Sequence, residues 1–206
     1  MINRITIQAY QVGLVFGKGK LINVLEAGSY WIFGNKQVHI YEMKQSFVAP
    51  IELTILLQNE KLASLLEVIE IADNEIALYY VNGMFKEVLT TGRYAFWKGY
   101  LDNAFTKIDL SKVEITEVVP VALLENIKVR AYTRKYQVLN FEKGLLFVNG
   151  AFVKELAAGN YYFWINAIPI EVKNVDIRQQ QMEIAGQELL TKDKATLRIN
   201  FFVRYQ

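Results

Sequence analysis

Residues 77–97 read ALYYVNGMFKEVLTTGRYAFW, and residues 144–164 read GLLFVNGAFVKELAAGNYYFW. The two stretches align without gaps at an offset of 67 residues, with 10 of 21 positions identical. Leu78, Val81, Asn82, Gly83, Phe85, Leu89, Gly92, Tyr94, Phe96 and Trp97 recur as Leu145, Val148, Asn149, Gly150, Phe152, Leu156, Gly159, Tyr161, Phe163 and Trp164. Recurrence at this density marks a tandem repeat, in which one supersecondary unit is built more than once. Residues 13–33, GLVFGKGKLINVLEAGSYWIF, join the alignment at an offset of 64, with Gly19, Leu25, Gly28 and Tyr30 on Gly83, Leu89, Gly92 and Tyr94. An echo between the units sets LLQNEKL at 56–62 against LLENIKV at 123–129.

Each unit reads as a strand, a tight turn, a second strand, a glycine and an aromatic strand. Asn-Gly between two apolar runs favours a two-residue hairpin, because both central residues tolerate positive φ. Asn82-Gly83 and Asn149-Gly150 carry that signal, and Gly19 takes the same slot in the first unit. Gly28, Gly92 and Gly159 mark the second turn. Alternation along the aromatic strand predicts Tyr94 and Phe96 on one face and Trp97 on the other. The aromatics could form a membrane- or partner-facing strip, but recurrence at equivalent slots favours module cores. Tyr30, Tyr94, Phe96, Tyr161 and Phe163 are the expected core residues.

The fold class that follows is mainly β within α+β. Three tandem small antiparallel modules are expected, with one or two short helices, then the opening strands of a further domain. The boundaries read as repeat 1 over 1–55, repeat 2 with a linking helix over 56–122, repeat 3 over 123–174, and a distinct segment over 175–206. The best helical stretch is NEKLASLLEVI at 59–69, whose second half could instead begin a strand. VALLENIKVRA at 121–131 is the weaker helical candidate.

Composition narrows the chemistry. A 52% hydrophobic, 13% aromatic chain of 206 residues buries enough apolar surface to fold. A formal net charge of +2 without a basic run argues against a nucleic-acid partner. With no cysteine, disulfides, thiolate metal sites and cysteine nucleophiles are excluded. The opening residues lack a signal-peptide apolar region, and no window holds the roughly 18 apolar residues of a spanning helix. The localisation expected is cytoplasmic, or peripheral to the inner face of a membrane.

Residues 13–21, GLVFGKGKL, resemble a phosphate loop in composition only. The glycine spacing fits neither the P-loop nor the dinucleotide fingerprint, and a strand follows instead of a helix. Lys18 and Lys20 therefore flank a hairpin turn. His39, the single histidine, lies in an alternating strand with no carboxylate at ligand spacing. Asp73 and Glu75 read as solvated turn residues. No catalytic, cofactor or metal site is expected, and no small-molecule substrate.

The last segment reads VDIRQQQMEIAGQELLTKDKATLRINFFVRYQ from Val175. Its final run alternates strongly and is still strand-like at Gln206, so a further segment or a partner chain is expected to complete the sheet. The stretch resembles the opening of the SPFH domain, also called Band 7 or prohibitin homology, in its stomatin and slipin branch. Val175-Asp176-Ile177-Arg178, then Gly186-Gln187-Glu188-Leu189-Leu190-Thr191-Lys192-Asp193, then the alternating strand to Tyr205 carry the likeness. The family-motif residues are Asp176, Arg178, Gln187, Glu188, Thr191, Lys192 and Asp193. The preceding repeats are similar to the N-terminal extension of some bacterial slipin-like proteins, where DG or NG turns precede GxYxxW.

What the resemblance implies is a non-enzymatic, membrane-associated scaffold without a cofactor. Such proteins form large homo-oligomers, organise membrane microdomains and regulate partners that include proteases. The chain departs from the stomatin pattern in carrying β-modules where the family has a hydrophobic hairpin or transmembrane helix. It also lacks the remainder of the domain and the helical region that drives assembly. The rival expectation is a soluble β-repeat module that grips a peptide or protein by strand addition.

Overall fold

The computed structural model describes residues 2–206 and divides the chain into two compact units, one ending at Ser111 and the other beginning at Lys112. The first unit holds two modules. Module 1 comprises β1 (Ile2–Ile7), β2 (Gln11–Gly17), β3 (Lys20–Leu25), β4 (Gly28–Phe33) and β5 (Gln37–Glu42). Helices α1 (Leu53–Leu56) and α2 (Glu60–Leu65) follow. Module 2 is β6 (Leu66–Ile71), β7 (Glu75–Val81), β8 (Met84–Leu89), β9 (Gly92–Trp97) and β10 (Asn103–Asp109).

The second unit repeats the pattern. Helices α3 (Val121–Leu124) and α4 (Ile127–Arg130) precede module 3: β11 (Thr133–Val138), β12 (Glu142–Val148), β13 (Ala151–Leu156), β14 (Gly159–Trp164) and β15 (Ile170–Asp176). A hairpin of β16 (Gln180–Leu190) and β17 (Thr196–Tyr205) follows.

All pairing is antiparallel, and each module makes the same two sheets. The first strand pairs with the fourth: β1 with β4, β6 with β9, β11 with β14. The second strand is central in a triple sheet between the third and the fifth: β3-β2-β5, β8-β7-β10 and β13-β12-β15. A module therefore has five strands, two more than the glycine motif alone announces. The extra strands bracket the motif, and each completes a sheet.

Turn chemistry fixes the register. Lys18-Gly19, Asn82-Gly83 and Asn149-Gly150 all have positive φ at both positions, from 50° to 77°. They close two-residue hairpins between Gly17 and Lys20, Val81 and Met84, and Val148 and Ala151. This is the turn whose twist matches paired strands, and Asn and Gly relieve its backbone strain. A register shift recurs at one slot, after Val15, Tyr79 and Leu146. Such bulges strengthen local twist and bend the strand. The Gly-x-Tyr signature also has a local cause. Gly28, Gly92 and Gly159 have φ of 151°, 146° and 157°, and the ring of Tyr30, Tyr94 or Tyr161 lies over the glycine.

The two sheets of a module enclose its own core. In module 1, Ile7, Val15 and Leu25 are buried with Ile5, Tyr30, Ile32 and Val38 packed against them. Ile69, Ile71, Ala77, Tyr79, Leu89 and Phe96 form the core of module 2, with Tyr94 and Phe105 beside it. In module 3 the core is Val138, Leu146, Leu156, Phe163 and Ile170, flanked by Tyr136 and Tyr161. The ring of Tyr79 stacks on Phe105 at 5.1 Å and tilts against Phe96 at 4.6 Å.

A further cluster welds modules 1 and 2. The outer face of the first triple sheet contributes Val12, Leu14, Phe16 and Val24; Phe47, Leu56 and Leu62 come from the linking segment; Leu66, Ala95 and Trp97 come from the outer face of β6 and β9. Alternation in β9 makes this possible, since Tyr94 and Phe96 face inward while Ala95 and Trp97 face outward. The linking segment also touches β9 as a strand: Phe47 N–H donates to the Ala95 carbonyl at 2.9 Å in an antiparallel bridge. In the second unit Glu114, at the repeat position of Phe47, bridges Phe163, one residue beyond the slot of Ala95.

The helices are shorter than the sequence suggests. Asn59 caps α2, accepting from Leu62 N–H at 3.1 Å, but the helix stops at Leu65 and Leu66 opens β6. Leu66 and Val68 face the inter-module cluster while Ile69 and Ile71 face the module core, so strand alternation wins over helical propensity. Residues 121–131 break into α3 and α4 around Asn126, which accepts from Lys128 N–H at 3.0 Å. The repeated LLxNxK element is thus a short helix, an asparagine cap and a second short helix.

Candidate interaction surfaces

The β16–β17 hairpin carries an extended run of exposed apolar side chains. Its register opposes Gln180 to Tyr205, Met182 to Val203, Ile184 to Phe201, Gln187 to Ile199 and Leu189 to Leu197. Period-two alternation puts all of these on one face. The other face carries Gln181 opposite Arg204, Glu183 opposite Phe202 and Glu188 opposite Arg198. Met182, Ile184, Leu189, Leu197, Phe201, Val203 and Tyr205 are all exposed. A lone two-stranded hairpin is marginal in water, and an apolar face of this extent marks a surface that something covers.

The family-like residues build the hairpin and its root. Val175 and Asp176 end β15, so they belong to the last strand of module 3. Asp176 takes a fork of bonds from Arg178, with Nη2 at 2.6 Å and Nε at 3.0 Å, and the guanidinium lies 4.2 Å over the Phe141 ring. The side-chain bond to Arg178 holds the Asp176 carboxyl below its ordinary range. Gly186 sits at the bulge in β16, where a Cβ would come within 2.5 Å of Asn200 Oδ1 and 2.9 Å of Arg198 Nε. Gln187 is on the apolar face and Glu188 on the polar one. Thr191, Lys192 and Asp193 form the turn: Thr191 Oγ1 accepts from Ala195 N–H at 3.0 Å, and a bond with Thr191 lowers the Asp193 pKa.

A second surface lies on the outer face of β1 and β4. Trp31 is 60% and Phe33 57% exposed, and the Arg4 guanidinium sits 5.9 Å from the Trp31 ring centroid. At the offset of 64 these two aromatics occupy the slots of Ala95 and Trp97, which module 1 buries. Sequence reasoning passed over them, because matching repeats suggests matching burial.

Module 3 presents a polar counterpart of the first triple-sheet face. Lys143 and Glu155 replace Val12 and Val24 and form an ion pair at 2.9 Å. Lys173 Nζ stands 5.1 Å over the Phe147 ring. Elsewhere in this unit, Glu125 accepts from Lys135 Nζ at 2.6 Å and closely from the Tyr162 hydroxyl, beside Arg130 and Thr133. Those bonds depress the Glu125 pKa and raise those of Lys135 and Tyr162. Trp164 Nε1 donates to Glu117 at 3.2 Å, whereas Trp97 Nε1 finds no partner among the described residues.

The remaining candidates are dispersed. Lys18 and Gly19 line a cavity of about 430 Å³ with Phe16, Asn35, Gln37 and His39, and the imidazole meets the Phe16 ring edge-on at 5.4 Å. Asp73 lies in the β6–β7 turn, and Glu75 accepts from Ala72 N–H at 3.2 Å. Among the described residues no three His, Cys, Asp or Glu side chains converge to hold a metal, and no helix is long and apolar enough to cross a membrane. Comparison of the chain with family models, with curated proteins and with solved structures finds no match.

Proposed function

We propose that this chain is the β-repeat arm and opening hairpin of a non-enzymatic, membrane-associated scaffold of the slipin and stomatin type, which assembles as a homo-oligomer at the inner face of a membrane. The observation that carries the reading is the apolar face of β16 and β17, with Phe201, Val203, Ile184 and Met182 uncovered. In this reading the face packs inside the SPFH layer of the assembled scaffold, and the modules serve protomer packing or partner docking. The hydrophobic contribution is large, because fully burying one such side chain is worth about 1.5–3 kcal/mol. The experiment is light scattering and vesicle flotation of the full-length gene product, with Phe201→Asp as the control. A large homo-oligomer that floats with vesicles, and that Phe201→Asp disperses, supports the scaffold. A monodisperse monomer that ignores vesicles overturns it.

A second reading, a soluble module that binds a peptide by strand addition, is favoured by one observation: among the described residues β4 pairs only with β1 and leaves its other edge open.

A further inference from the structure

The repeat shows how the outer face of a two-stranded sheet is closed. In module 2 the β9 edge receives residue 47 as an antiparallel bridge at Ala95, and the Phe47 ring packs against Trp97 at 5.1 Å, edge to face. In module 3 the β14 edge receives Glu114 opposite Phe163. Both closures use a short extended segment entering beside the aromatic strand. Module 1 has the same strand pair in the same register, with Arg4 opposite Trp31 where Val68 stands opposite Ala95. Its β4 edge receives no segment among the described residues. Trp31 and Phe33, in the slots of Ala95 and Trp97, stand in water.

We infer that the β4 edge of module 1 is a docking site for an extended peptide segment of a partner protein. The segment adds antiparallel to β4, bonding to the backbone of Trp31, and places one aromatic or large aliphatic side chain against Phe33, as Phe47 lies against Trp97. Backbone bonds supply affinity in strand addition, and the side chain beside the edge supplies specificity. Trp31 has no steric role to copy, since Ala95 suffices in its slot, so the larger ring extends the apolar wall over the guest.

A second copy of the chain fits this face poorly. Head-to-tail closure would offer it the triple-sheet face of module 3, where Lys143, Glu155, Glu171 and Lys173 stand in place of an apolar sheet. Edge-to-edge pairing of two β4 strands would engage the six residues of each, against the roughly 20–30 residues a side of a stable interface. The inference does not depend on the scaffold reading, because the hairpin and the β4 edge are separate surfaces.

The chain's own linking sequence is the natural probe. A synthetic peptide of residues 44–52, KQSFVAPIE, carries the segment that fills the equivalent site in module 2. Hydrogen exchange of the full-length protein is measured with and without millimolar peptide. The expected result is saturable protection of amides in β4, with affinity falling roughly tenfold when Phe47 of the peptide is serine or the protein carries Phe33→Ala. Phe33 is exposed, so Phe33→Ala leaves folding intact and isolates binding. Unchanged β4 exchange, or protection confined to β9, overturns the proposal. Light scattering and flotation on phosphatidylcholine–phosphatidylserine vesicles complete the test. Self-association abolished by Phe33→Ala would assign the face to a second copy, and flotation abolished by it would assign the face to lipid; either result overturns the peptide site. Phe201→Asp tests the scaffold separately and leaves peptide protection of β4 unchanged.

Discussion

Leu14 and Leu145 occupy the same slot of the repeat, on the central strand of the triple sheet, facing away from the module's own core. Leu14 is 0% exposed, enclosed by Phe47, Leu56, Leu62 and Trp97. Leu145 is half-buried, on the face where Lys143 and Glu155 pair. Truncating each to alanine removes the same atoms but from different surroundings. At Leu14 the loss includes a cavity between two modules that cannot collapse, for a cost of about 2–5 kcal/mol. At Leu145 water fills the space, and only half the transfer energy of the lost carbons is forfeited, about 1 kcal/mol. Urea unfolding checks the difference. The buried indole of Trp97 reports on the first unit and calorimetry resolves the second. Equal costs for the two substitutions, or a larger cost at Leu145, would refute the assignment of Leu14 to a core shared between modules.

Gly19→Val destabilises module 1 by about 1–2 kcal/mol through backbone strain alone, since φ is +77° and a Cβ there meets nothing within 4 Å. Lys18→Asn supplies the asparagine of the other two turns at a φ of 52° and raises the melting temperature, while Lys20→Ala leaves it unchanged; a Gly19→Val protein melting like the parent would remove the turn from the account. Glu125 has a folded-state pKa below its ordinary value, chiefly through Lys135 and then Tyr162. Its contribution to stability is therefore present above the unfolded carboxylate pKa and lost as pH falls through the lower, folded value. Melting curves of the second unit below neutral pH should show an acid-side decline that is shallower in Glu125→Gln, and an unchanged decline would assign it to other carboxylates.

The β-rich character of the chain and its tandem build are readable in the residues themselves. Asn-Gly flanked by apolar runs encodes a two-residue hairpin because positive φ at both positions is a local property. Gly-x-Tyr encodes a ring over a glycine within one strand. Asn59 caps a helix that starts where the sequence reading placed it, whereas Asn126 caps a second helix inside the stretch read as one helix over 121–131. The end of α2 was legible only as one of two alternatives: the second half of NEKLASLLEVI could continue the helix or begin a strand, and Leu66 becomes a strand because it pairs with Trp97, 31 residues away.

Turns, alternation and recurrence could be read from the order of the residues, since backbone sterics and strand period depend on near neighbours alone. Which of the repeated faces are covered depends on long-range packing. Leu14 and Leu145, or Trp97 and Phe33, share a slot but not a fate. Burial is a property of what stands opposite, and a repeat pattern carries no record of its neighbour. The same reason separates the two sides of the terminal hairpin: alternation sorts Phe201 and Val203 from Arg198 and Arg204, while the need for a cover emerges only when the described fold leaves that face in water.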